Sequence, residues 1–300
     1  MPTSNPSVSV VTVNWNLPEE TARCVASILA GDYPRQQVVV VDNASTDDSV
    51  ARLRARFGER ITLLEAESNL YYGGGCNLGI AWSLAHGADC VLVLNNDTWI
   101  APDMVTRLVR LAEAHPDAGI VAPMILCADE PRRIWALGSE RHRWLPMPRD
   151  IGRGALDRGQ FRVPRQVDYV TGCAMLIRRE ALAAGTPFDS RYTMYYEDAD
   201  LCARVRARGL TIWVEPRAKM WHLGSASAAL RSATSRYQRT RHRVLFYRQH
   251  PHGRWPLATH LAVLLSEVAR GVRDVLRGHP HVAWAAWQGF RDGSRQRIHE

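Results

Sequence analysis

The sequence predicts an α/β fold, a doubly wound and mainly parallel sheet followed by a helical C-terminal extension. Three observations carry the prediction. Strand-like and helix-like stretches alternate through the first 118 residues, the pattern of strands joined by right-handed helical crossovers. Val38–Val41 and Val91–Leu94 are unbroken aliphatic runs, as expected of strands buried on both faces. Beyond Ser225 the apolar residues recur instead at steps of three and four, the spacing of an amphipathic helix.

Taken in order, Val8–Val13 is a first strand that ends in Asn14-Trp15-Asn16. Pro18-Glu19-Glu20 opens a helix reaching Leu29, with proline in the first turn and two acids at the positive end of the helix dipole. Val38–Val41 is a second strand closing in Asp42-Asn43, and Thr46 or Asp47 can cap a helix to Phe57. Ile61–Leu64 is a third strand, followed by a glycine-rich turn and a helix from Asn77 to His86. Val91–Leu94 is the fourth and runs into Asn95-Asn96-Asp97. From 120 to 170 proline, glycine and arginine loosen the pattern, which reads as a mobile loop. Val170–Ile177 resumes as a strand, Asp198–Arg208 as a helix, and Thr211–Val214 and Lys219–His222 as two short strands. In the tail, Leu257, Leu261, Leu264, Leu265, Val268, Val272, Val275 and Leu276 share one helical face, with His260, Glu267, Arg270, Arg273, Asp274 and Arg277 on the other. Three uses of that apolar face stay open: cover for the sheet, a homodimer contact, or docking on a membrane, where Trp255, Trp284 and Trp287 would help.

Three hundred residues at 46% hydrophobic content can bury a sizeable core. No apolar run approaches the roughly 20 residues of a spanning helix, and the start lacks signal-peptide regions. A cytoplasmic place is therefore expected, free or peripheral on the inner face of the plasma membrane. Six cysteines are scattered without a C-x-x-C pair, which points to neither a zinc knuckle nor a disulfide framework. The net charge of +8 sits in the tail: residues 231–300 hold 13 Arg against 4 acids, and the first 230 hold 25 Lys plus Arg against 26 acids. No helix-turn-helix, zinc-finger or RNP signature accompanies this charge, so no nucleic-acid partner is expected. An anionic membrane surface or an acidic polymer remains.

Polar clusters at strand ends are the candidates for chemistry. Asp97 closes a buried strand at the edge where open α/β sheets bind ligands, so it either holds a divalent cation against phosphates or merely ends the strand in a turn. Asp42 with Asn43 either accepts hydrogen bonds from a nucleoside or makes an Asx turn. The run Asn69 to Gly79 contains successive glycines that let backbone approach a ligand. It matches neither the P-loop nor the dinucleotide fingerprint. Glu197, Asp198 and Asp200 crowd three acids at a helix start, where one can serve as a general base or all can serve the dipole. His222, in Trp221-His222-Leu223-Gly224-Ser225, is either a core histidine or a ligand.

In this order the motifs resemble the family 2 inverting glycosyltransferases of the GT-A fold, a Rossmann-like architecture, and within them the bacterial rhamnosyltransferase-like group. The resemblance covers Val8 to Ser225 and implies a catalytic domain over 1–228, with a nucleotide-binding half (1–118) and an acceptor and catalytic half (119–228), then a basic amphipathic extension over 229–300. It implies Asn14, Asn16, Asp42, Asn43, Asn69, Gly74, Asn77, Asn95 and Asn96 around the donor nucleotide, Asp97 and His222 on a divalent metal (Mg²⁺ or Mn²⁺), and Asp198 as catalytic base. Glu197, Asp200, Trp221 and Gly172 would face the acceptor or support the site. The implied partners are a dTDP-, UDP- or GDP-sugar, with rhamnose favoured, and a glycan or lipid-linked acceptor in cell-wall or surface polysaccharide synthesis. The chain departs from the group at Tyr71 and Cys76, where glycine and asparagine are usual, and at His242, a frequent asparagine. A sugar-nucleotide nucleotidyltransferase and a non-catalytic carbohydrate-binding protein of the same fold are the alternatives.

Overall fold

The computed structural model describes residues 5–142, 146–183, 185–224, 232–251 and 256–296. Ser225, Trp255 and the expected 228/229 boundary lie outside them. The first half alternates as expected: β1 (Val8–Asn14), α1 (Pro18–Leu29), β2 (Gln36–Asp42), α2 (Ser49–Phe57), β3 (Thr62–Glu65), α3 (Tyr71–Ala85), β4 (Cys90–Asn95), the short β5 (Thr98–Ile100) and α4 (Met104–Ala114). Then come β6 (Ala118–Cys127), four three-residue strands β7 (Ile134–Ala136), β8 (Ser139–Arg141), β9 (Pro148–Asp150) and β10 (Arg165–Val167), and β11 (Ala174–Arg178) with the single turn α5 (Arg179–Leu182). The chain closes with α6 (Glu197–Ala207), β12 (Thr211–His222), α7 (Ala233–Gln249), α8 (Pro256–Leu276) and α9 (Pro280–Arg295).

The main sheet runs β10-β12-β6-β11-β4-β1-β2-β3. β3, β2, β1 and β4 are mutually parallel, whereas β11 lies antiparallel to both β4 and β6, so the sheet is mixed beyond its parallel core. Alternate side chains of the valine-rich strands feed two cores: Val10, Val38, Val40, Leu92 and Leu94 pack on one face, Val11, Val39, Val41, Val91 and Val93 on the other. This double burial is why those stretches lack a polar alternation.

Four expectations are corrected. The glycine-rich stretch is not a turn before a helix but the first turns of α3 itself, because its small residues let the helix lie close on β1. The two short strands after α6 are one, β12, with a register shift against β6 between Glu215 and Lys219, where Pro216 interrupts the ladder. Residues 120–170 are not a loop: β6 occupies the start, and Ile134, Leu137 and Ile151 are buried in the core. The apolar face of α8 does not cover the sheet: Leu264 packs towards α9, and the rest of the face is exposed. Thr259, Val263 and Glu267 turn inward, and the leucine and valine stripe faces out. The inversion has an electrostatic cause: Glu267, 6% exposed, meets Arg236 (2.8 Å), Arg243 (2.6 Å) and Arg270 (2.9 Å), two of them on α7.

Candidate active site

The C-terminal edge of the parallel strands carries a continuous polar network. Asn96 donates to Thr21 (2.9 Å) and Thr21 to Asn14 (2.7 Å). Asn14 in turn donates to Asp42 (2.8 Å) and to Ser45 (3.1 Å). Asp42 also accepts from the Ser45 hydroxyl and backbone N–H, so its carboxylate organises the loop after β2 as an Asx turn does. Asn16, in the left-handed region at φ 53°, accepts from Thr46 N–H. Asn43 donates to Asn69 and to the Tyr71 carbonyl and accepts from Leu70 N–H, fixing the entry to α3. Asn77 has a different task from the donor contact expected: its amide exchanges two hydrogen bonds with the Phe188 backbone (2.7 and 2.9 Å), clamping α3 to the segment before α6. Gly74 lies inside α3, where an added Cβ would press on Leu70 Cβ at 2.8 Å.

Beside this edge opens a cavity of about 700 Å³. Of the residues singled out in the sequence it takes in Asn95, Asp97, Gly172, Glu197, Asp198 and His222. Asn14, Asn16, Asp42, Asn43, Asn69, Gly74, Asn77, Asn96, Asp200 and Trp221 are not part of its lining. The meeting of Asp97 and His222 is a matter of strand register. A tight turn at Asn95–Thr98 leads from β4 to β5, which pairs antiparallel with the end of β12 so that Thr98 opposes His222, and Leu223 N–H donates to the Asp97 carbonyl. His222 Nε2 then lies 3.1 Å from Asp97 Oδ1. The imidazole is nearly buried, and Trp135 packs edge-on against it with centroids 4.6 Å apart. With Nε2 donating to Asp97, Nδ1 is left a buried lone pair without a partner among the described residues. Strand alternation turns Trp221 to the opposite side, where it stacks on Trp99 and donates to the Pro131 carbonyl, which is not an acceptor-facing position.

Across the cavity stands the first turn of α6. Asp198 accepts from Gly172 N–H (2.9 Å) and Ala199 N–H (2.7 Å). Gly172 fits because a Cβ there would sit 3.3 Å from Asp198 Cβ, and its carbonyl accepts from the Tyr72 hydroxyl (2.6 Å). Burial raises the pKa of Asp198 against those backbone hydrogen bonds. Burial, then the charge of Asp198, raises that of Glu197, whose Oε2 has no partner. The two neighbouring carboxyl groups cannot both ionise cheaply, and the two N–H groups on Asp198 favour the charge there over Glu197. Asp200 points away, buried and paired with Arg204 (2.7 Å) and His250 (2.8 Å), so it ties α6 to the end of α7 and does not reach the cavity.

Several lining residues have no counterpart among the sequence expectations. Trp135, with Arg153 over its ring at 5.7 Å, comes from the stretch read as a loop. Arg239, Phe246 and Tyr247 come from α7, with Arg239 stacked 4.5 Å over Tyr195. Tyr195 and Tyr196, both in the left-handed region (φ 69° and 71°), lead into Glu197. The positive net charge of α7 and the paired tyrosines before the acids were the only signals.

A carboxylate and an imidazole on one wall and a carboxylate on the other thus share a cleft at the sheet's C-terminal edge, where open α/β folds bind their ligands. The description "Glycosyl transferase family 2" matches residues 9–185, and the chain belongs to that family. That span includes Asp97 but neither Asp198 nor His222. The chain is 27% identical over 247 residues to the N-acetylglucosaminyl-diphospho-decaprenol L-rhamnosyltransferase of Mycobacterium tuberculosis, covering 71% of this chain and 75% of that one. It is 30% identical over 207 residues to the galactofuranosyltransferase GlfT1 of the same organism, covering 68% and 66%. Among solved structures it is similar to the mannosyltransferase PcManGT of Pyrobaculum calidifontis in complex with GDP-Man and Mn²⁺, with a TM-score of 0.57, 19% identity and coverage of 98% and 87%. The fold is GT-A and the protein a glycosyltransferase, which sets aside the nucleotidyltransferase and binding-protein alternatives.

Proposed function

We propose that the protein is a metal-dependent, inverting glycosyltransferase. In this reading it moves a sugar, rhamnose first among the candidates, from a nucleotide-diphospho-sugar to a glycan or lipid-linked acceptor in cell-wall or surface polysaccharide synthesis. The single observation that carries the reading is the 3.1 Å approach of His222 to Asp97 in the same cavity as Asp198. Among the described residues no three His, Cys, Asp or Glu side chains cluster as a complete metal cage. Two protein ligands, with donor phosphates and water as the rest, suit Mg²⁺ or Mn²⁺, and the imidazole makes Mn²⁺ competitive. Asp97 and His222 would hold the ion, and the atoms that approach each other, Oδ1 and Nε2, are those that would face it. When bound, such an ion neutralises the charge that builds on the diphosphate leaving group.

The chain's own residues supply the rest. Asp198 takes the proton of the acceptor hydroxyl as its oxygen bonds to the anomeric carbon from the face opposite the departing diphosphate, which inverts that centre. Glu197 stays neutral beside it, so the acceptor meets one negative charge and not two. Trp15 and Tyr71, both about half exposed at the polar edge, offer rings against which the donor base can stack.

Donor and metal are identified by thermal shift with dTDP-, UDP- and GDP-sugars in Mg²⁺ or Mn²⁺, because a ligand of the native state raises its melting temperature. With the donor known, Asp198→Asn lowers transfer by about 10² to 10⁴ and keeps donor affinity. Asp97→Ala loses metal-dependent donor binding as well. Equal loss of donor affinity in both variants would defeat the assignment of the base.

A further inference from the structure

We propose that the outward face of α8, with the adjoining surface of α9, is a docking surface for an anionic lipid bilayer. Leu261, Leu265, Val268, Val272 and Val275 are each more than half exposed, and Leu257 and Leu276 at the two ends more than 80%. Their steps of four and three keep them on about a third of the helix circumference, and 21 residues make a stripe of about 31 Å. So large a contiguous apolar surface marks an interaction site. The stripe extends across to α9, because Phe290 packs with Val263 and Leu264 and is stacked by the exposed Trp287.

The charges say which occupant fits. Every described acid of α8 and α9 is engaged within the fold: Glu267 with three arginines, Asp274 with Arg236, and Asp292 with Arg291 and Tyr237. Arg273, beside the stripe, and Arg277, on the polar face behind it, are exposed and make no ion pair among the described residues. The stripe therefore offers apolar side chains and a tryptophan rim, with cations at its flank and on the polar face behind it, as in a helix that lies in a bilayer interface. A second copy meeting the stripe through its own would add apolar contact but no acid for those cations. An anionic leaflet supplies both an apolar interior and the opposite charge, and Trp and Arg side chains are at home at its boundary. No described helix is long and apolar enough to cross a membrane, so the contact is on the surface. Tyr247 of α7 lines the cavity and also packs against the α8–α9 core, so the docked face lies one helix away from Asp198. Lipid binding stands apart from the transfer reading, since it needs no sugar donor.

The test is co-sedimentation of the full-length protein with vesicles of phosphatidylcholine alone and of phosphatidylcholine mixed with phosphatidylglycerol, at low and physiological ionic strength. The protein is expected to pellet with the anionic vesicles and stay in solution with the neutral ones, more strongly at low salt. Leu265→Ser with Val272→Ser, on exposed positions that leave the melting temperature unchanged, weakens binding about tenfold or more. Arg273→Glu with Arg277→Glu removes the preference for anionic lipid. Failure of the wild-type chain to pellet, or equal pelleting with both vesicles, overturns the proposal. So does a wild-type dimer in sedimentation velocity that the serine variant splits, since that assigns the face to a second copy.

Discussion

Replacing Gly79 by alanine separates two uses of the glycine-rich stretch, ligand approach and helix packing. A Cβ on Gly79 would press on Val11 Cγ1 far inside van der Waals contact and lie 3.1 Å from Val41 Cγ2. Both valines are fully buried and, being β-branched, have no second rotamer at low cost. Alanine gains about 1 kcal/mol over glycine in a helix interior, whereas overpacking a filled core costs about 1–3 kcal/mol. With two stiff neighbours the upper end applies, and a net loss of about 2 kcal/mol remains. For 300 residues the unfolding entropy near the midpoint is about 0.6 kcal/mol per kelvin, so melting drops by about 3 °C. Gly271→Ala is the counterpart: in α8 the nearest atom to its Cβ is Ala283 Cβ at 3.9 Å, so propensity wins and melting rises by about 1.5 °C. Circular dichroism melts of both variants, with donor titrations, give the answer. An unchanged melt for Gly79→Ala together with lost donor affinity would refute the packing account and return the glycines to the ligand.

Glu267→Gln leaves Arg243 buried without its charge partner and is expected to cost about 3–5 kcal/mol, read as a lowered melting temperature and loosened C-terminal helices in hydrogen exchange. Burial raises the Glu267 pKa, but Arg236, Arg243 and Arg270 outweigh it and the net shift is downward from 4.5. This stability is therefore complete above pH 4.5 and lost as pH falls through the lowered value, which acid titration of the wild-type chain against Glu267→Gln detects. Gly172→Ala pushes on Asp198 Cβ at 3.3 Å and is expected to lower the turnover rate about tenfold with donor KM unchanged, as steady-state kinetics show. Because the pKa of Asp198 is raised by burial, turnover is expected to fall on acidification at a pH above 3.8, the ordinary value, and Asp198→Asn removes that limb of the pH profile.

The strands that organise the site were legible because double burial writes itself as runs of valine and leucine, and β1, β2 and β4 came within a residue or two of their true bounds. Strands of three residues carry no measurable period, so β7 to β10 looked like loop, and Trp135 was lost with them. Polar residues at strand ends were visible as a group. Which of them would meet was implied by the family resemblance and not by their spacing, since Asp97 reaches His222 through a ladder between β5 and β12 that joins distant parts of the chain. Periodicity also told that α8 has two faces without telling which is inside, a choice made by Arg236 and Arg243 on another helix.

The role of α7 follows from the strain beside the base. Tyr195 and Tyr196 hold left-handed backbone, a conformation that costs a non-glycine residue about 1–3 kcal/mol unless its surroundings impose it. The imposition comes from α7: His242 donates from Nδ1 to the Met194 carbonyl (2.7 Å), Ser235 bonds the Tyr195 hydroxyl (2.9 Å), and Phe246 packs on Tyr196. Burial pushes the His242 pKa down to about 4, so near neutral pH the imidazole is uncharged and its Nδ1–H is available to that carbonyl. Helix α7 thus fixes the turn that aims Glu197 and Asp198 on one side while its arginines hold α8 on the other. The tail beyond residue 231, which in sequence reads as a basic appendage, forms a wall of the cavity and sets the geometry of its carboxylates.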